Sequence, residues 1–168
     1  MEDWQTETEV VPKLGPEAFP TTGPNALARP WVRAVARIAD TMIVSAPFLF
    51  IVVIVLAITD QLNSEEFPLW VRPLWAVLAV AYEAPLVAWR GQTVGKLALG
   101  IKVARIGDGR PPEWWQATMR IGIPAILISI PHPIGVVAAS GIYFSSSWDP
   151  IGRGAHDKAA GTVVVASR

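Results

Sequence analysis

An all-α membrane fold is what this sequence predicts: a four-span helical bundle with a small two-stranded β element at its cytoplasmic surface. Three observations carry that expectation. Of the 168 residues 52% are apolar, while charged residues make up only 17%, below the usual quarter. Residues 41–59 contain no charged side chain, and as a helix they match the roughly 30 Å of a hydrocarbon core. Basic residues gather in alternate segments between the apolar runs, as expected where lysine and arginine are retained on one side of a bilayer.

Residues 1–29 are polar, proline-rich and more acidic than basic, without an apolar period. They read as a disordered cytoplasmic tail ahead of a transmembrane domain spanning 30–168. The first apolar run has no small-residue cleavage site after it, so it is expected to stay as an anchor and not to leave as a secretory signal. At its head, WVRAVARIAD puts Arg33, Arg37 and Asp40 at helical spacing on one face. The second run, residues 70–89, carries Glu83 after a stretch that is apolar from Pro73. A carboxyl at membrane depth costs on the order of 2.5–3.5 kcal/mol on insertion scales, so it is by default a functional candidate. No basic residue lies within one helical turn of Glu83, and desolvation is expected to favour its protonated form.

The next segment, GQTVGKLALGIKVARIGDGRPPEWWQATMR, is too polar to be embedded. Within it residues 99–106 read as a strand and Gly107-Asp108-Gly109 as a turn, and residues 161–167 supply a β-rich partner. Between these segments lies a third apolar stretch, 121–147, broken by Pro131-His132-Pro133. As one helix it gives three crossings and sends the C-terminus to the far side. As a hairpin hinged at Pro131–Pro133 it gives four and brings the C-terminus back. The hairpin leaves Arg72 as the one basic residue outside, whereas three spans add Arg153, Lys158 and Arg168, so four spans with both termini cytoplasmic fit better. Trp31, Trp89, Trp114, Trp115 and Trp148 fall at inner ends and Trp70 near an outer end, the interface that indole rings prefer.

Several chemistries find no support. Without cysteine there is no thiol nucleophile, disulfide or thiolate metal site. His132 and His156 are isolated, so no metal is expected, and no serine sits in a nucleophile elbow, so no enzyme is expected. A net charge of zero gives no reason to expect nucleic acid as a partner. GQTVGK falls short of a phosphate-binding loop, with three residues before the glycine-lysine pair instead of four and Leu97 where serine or threonine is required. No cofactor is expected. The glycines instead let the backbone turn tightly, with Lys96 expected to meet lipid phosphate or a carboxylate such as Asp157.

Three ordered blocks carry a family likeness. Arg33 is followed seven positions on by Asp40, with Arg37 as a rival arginine. GQTVGKLALGIKV places Gly91, Thr93, Gly95, Lys96, Gly100 and Val103, and RGAHDKAAGTVVV places Arg153, His156, Asp157, Ala160, Gly161 and Thr162. In these blocks, from 33 to 165, the chain resembles the RDD family of small bacterial membrane proteins. The resemblance implies a multi-span membrane protein, with transport as the activity class and no substrate supplied.

Two functional readings follow. In one, the protein, as an oligomer, moves a small cation or proton across the cell membrane, with Glu83 as the titrating site and the Arg33/Asp40 region as an inner gate. In the other it is a non-catalytic accessory subunit of a larger membrane complex, and Glu83 pairs with an arginine on another helix or a partner. Arg33, Arg37, Asp40, Arg120, Arg153 and Asp157 are expected either to form an ion-pair network at the inner interface or to take a direct part in transport.

Overall fold

The computed structural model describes residues 15–64, 68–130 and 132–168. Helix α1 runs over Pro30–Ile58, with proline at its first position, where the missing N–H costs nothing. Helix α2, Val71–Arg90, stops at Gly91, whose φ of +68° is a left-handed cap. The chain then makes the short α3, Val94–Ala98, and strand β1, Ile101–Arg105. After a loop come α4, Trp114–Ser129, α5, Pro133–Phe144, the short α6, Ala155–Ala159, and strand β2, Thr162–Ala166.

The two strands pair antiparallel, Ile101 opposite Ala166 and Arg105 opposite Thr162, inside the two segments predicted to be β-rich. The third apolar stretch folds as two helices, with the break between Ser129 and Pro133. Pro131 itself lies outside the described residues. The return is tight because Gly135 has no side chain: a Cβ there would sit 2.2 Å from the Leu127 carbonyl oxygen. Absent from the sequence reading were α3 and α6, each of five residues and too short to show an apolar period.

Successive long helices alternate in direction. At one end Phe48 and Val52 of α1 pack on Val71 at the head of α2, and Arg72 donates to the Ile130 carbonyl just past α4 at 3.0 Å. At the other end the start of α1, the end of α2 and the start of α4 converge on the strands. Ala36 packs with Ile101 and Val164, while Val87 and Ala117 pack with Val103.

Among the described residues, α1 and α2 are the helices long and apolar enough to cross a membrane. At 1.5 Å per residue α4 reaches only about 24 Å and α5 about 18 Å, short of a 30 Å core, because the proline break divides one apolar stretch between them. The core helix of a soluble protein would be mostly buried. In α1 the most apolar window is only 11% buried, and in α2 33%. Such a continuous apolar surface suits lipid and not water.

The segment just before α1 is tied down. Leu27 bridges to Val165, Ala28 N–H donates to the Val164 carbonyl at 3.1 Å, and Asn25 N–H donates to the Ala166 carbonyl at 2.9 Å. This covers the outer edge of β2 and sets the start of α1 beside the end of the chain. The tail read over 1–29 therefore contains a docked stretch at 25–28; residues 1–14 lie outside the described residues.

Candidate functional site

Asp40 lies about 15 Å along α1 from its start and is only 3% exposed. Its carboxylate accepts from the Tyr82 hydroxyl at 2.9 Å, from the Gly95 N–H at 2.8 Å and from the Thr93 hydroxyl. The glycine-rich segment makes this possible. Gly91 ends α2 and turns the chain, Thr93 precedes α3, and Gly95 lets α3 press against α1 so closely that a Cβ would stand 2.6 Å from the Ala36 carbonyl oxygen. Burying a carboxylate is tolerable only when its lone pairs are filled in this way.

Glu83 sits beside this pocket, 6% exposed. Arg37 of α1 donates to one oxygen, and Lys96 of α3 to the other at 2.9 Å. Lys96, itself 6% exposed, also donates to the Thr93 hydroxyl at 3.2 Å and stands 3.7 Å from Asp40. One sequence expectation is thereby corrected and another made specific. Glu83 is not left to burial alone, because cations from two other elements meet it, and the carboxylates that Lys96 was expected to meet are Glu83 and Asp40 and not Asp157.

Arg33 makes no ion pair among the described residues. Its guanidinium donates to the carbonyls of Ala28 and Val164, both at 2.9 Å, and to that of Gly152, tying the head of α1 to the C-terminal segment. Asp157 does the corresponding work in α6. It accepts from the Gly154 N–H at 3.2 Å, and Arg120 of α4 lies 3.1 Å from its other oxygen. Arg153 stands apart from this cluster, paired with Asp149 at 3.4 Å.

These groups wall a cavity of about 340 Å³. Arg33, Arg37, Glu83, Lys96, Arg120 and Asp157 all line it, and Asp40 lies behind Lys96. Comparison with protein-family models matches residues 27–161 to the RDD family. The chain belongs to the RDD family. Neither the curated proteins nor the solved structures give a match.

In this RDD protein the family blocks serve one cluster from different directions. Asp40 receives the glycine block through Thr93 and Gly95, and Asp157 receives Arg120. Of the two rivals for the family arginine, Arg37 and not Arg33 is the one that reaches a carboxylate among the described residues. Sequence reasoning missed Tyr82, Tyr143 and Gly152. The chain has two tyrosines, both in apolar helices and both in the cluster, so a lone phenol in an apolar run was the available signal. Tyr143 offers its ring face to Arg37 at 5.0 Å and packs edge-on to His156 at 4.8 Å.

His156, 6% exposed, is a titratable group of this RDD cluster carried by the short α6. Burial pushes its pKa down from 6.5 to about 4, with Asp157 and Glu83 opposing and Arg120 and Arg37 reinforcing the fall. In the unfolded chain it titrates near 6.5, so between those values the unfolded state holds the extra proton and stability falls as the pH drops. The slope is about 1.4 kcal/mol per pH unit. Thermal unfolding in detergent between pH 7 and 5 is expected to show a loss on the order of 2 kcal/mol that His156→Gln removes. An unchanged pH profile in that variant would assign the loss to other groups.

Proposed function

We propose that this protein is a multi-pass protein of the cell membrane with both termini cytoplasmic, α4 and α5 forming a short third and fourth span, and that it couples proton movement to transport. The meeting of residues 25–28 with β2 supports a shared side for the two chain ends, since α1 begins where β2 runs.

One observation carries the transport reading: Glu83 is a buried carboxylate on the wall of an accessible cavity, shared by Arg37 and Lys96 from two different elements. A proton reaching Glu83 through the cavity removes the charge that holds both. The ties from α2 to α1 and to α3 then loosen together, which is the bistable element that a transport cycle needs. In proteoliposomes with an imposed pH gradient, Glu83→Gln is expected to lower flux roughly tenfold or more; flux equal to the parent's would remove Glu83 from the path.

The accessory reading draws support from a different observation. Asp40, Glu83 and Asp157 each already face a cation within the chain, as a purely structural network would have it. A stoichiometric partner that co-purifies in mild detergent, together with no flux from the reconstituted protein, would favour it.

A further inference from the structure

The cluster is not charge-balanced. Arg33, Arg37, Lys96 and Arg120 face the cavity, while the carboxylates close to them are Glu83 and Asp157 on its wall and Asp40 behind. Lys96 and Arg37 are met by Glu83, and Arg120 by Asp157, which leaves Arg33 held by carbonyl oxygens alone. Among the described residues two buried side-chain nitrogens are also left without a hydrogen-bond partner, Nη1 of Arg120 and Nδ1 of His156, both in residues that line the cavity. A buried guanidinium nitrogen without an acceptor is costly, and acceptor-rich anions are the ligands that arginine forks fit best.

The mouth of the cavity suggests what carries that anion. The exposed residues on its rim are Pro30, Ala34 and Ile38 of α1 and Ser140 and Phe144 of α5, each set spaced by four. Four-residue spacing on both helices makes the opening a slot between them. Its edges are apolar where they are most exposed, Ile38 at 61% and Phe144 at 69%, and the apolar surface continues along both helices through Met42 and Val137. A soluble anion would have to pass these side chains, whereas an amphiphile would lay its chains against them.

We propose that the cavity binds the phosphate of an anionic lipid, whose headgroup enters sideways between α1 and α5 and is held by Arg120 and Arg37, which line it. The inference rests on membrane residence but not on transport, so a lack of flux leaves it standing.

The test uses the full chain in phosphatidylcholine nanodiscs. Phosphatidylglycerol is titrated in, and inorganic phosphate is added in a separate arm. The expected result is a saturable rise in thermal unfolding temperature with phosphatidylglycerol and none with inorganic phosphate. Arg120→Gln, which removes the unpartnered donor, should weaken apparent affinity about tenfold. Because that change also strips Asp157 of a partner, Ile38→Trp provides a second variant: it narrows the slot from an exposed position, keeps every charge, and should weaken lipid binding by a similar factor. Stabilisation by inorganic phosphate without phosphatidylglycerol would overturn the lipid assignment. So would an unsaturable lipid response, or one that both variants retain.

Discussion

Lys96→Met is expected to destabilise the protein by about 3–5 kcal/mol, the cost of stripping one partner from a buried ion pair. The methionine fills most of the same space, so the loss is electrostatic. Glu83 keeps only Arg37, and Asp40 loses the cation 3.7 Å away, while both carboxylates stay buried. The companion Glu83→Gln/Lys96→Met should recover part of the loss, because it restores the balance of one cation, Arg37, to one carboxylate, Asp40. Chemical unfolding in detergent measures both. Parent-like stability in Lys96→Met would show that the ammonium does not hold α3 in place, and a double variant as unstable as the single would show that packing, not charge, sets the cost.

Gly95→Ala should have the next largest effect. The added methyl would stand 2.6 Å from the Ala36 carbonyl oxygen and 3.0 Å from an Asp40 oxygen, and the first of these is backbone that cannot turn aside. Overpacking of this kind costs roughly 1–3 kcal/mol, and moving α3 outward also lengthens the Gly95 N–H bond to Asp40. Gly122→Ala is the natural control. It lies inside α4 with nothing within 4 Å of its Cβ position, and alanine there should be neutral or stabilising by about 0.5–1 kcal/mol. Equal unfolding midpoints for the two variants would mean that α3 and α1 are not in close contact at Gly95.

The sequence reading reached different depths for different parts of the protein. Helices α1 and α2 were legible because a long charge-free run and an apolar run carrying one acid leave little else for the chain to do in lipid. The two strands were legible from β-branched residues bounded by glycine. Ion-pair partners were not. Glu83 looks isolated along its own helix because its cations lie 46 positions before it and 13 after it, and only packing brings them together. The same limit applies to Arg33 and Asp40. They share one helix face in sequence, yet Arg33 turns to the C-terminal segment and Asp40 to α3. Helix period says which residues face inward, but not which neighbour each will find.

The bonds of Arg33 also set an order of events. Its distant acceptors, on Gly152 and Val164, lie 119 and 131 positions downstream, so the head of α1 is fastened by residues translated long after it. Until that moment the head of α1 holds a guanidinium whose final acceptors do not yet exist. Biogenesis of this chain therefore separates into the forming of the helices, which can begin early, and closure, which waits until residues 152–164 have been made. A ribosome stalled before residue 152 should display an inserted but unfastened intermediate, open to a chaperone or protease that the completed protein excludes.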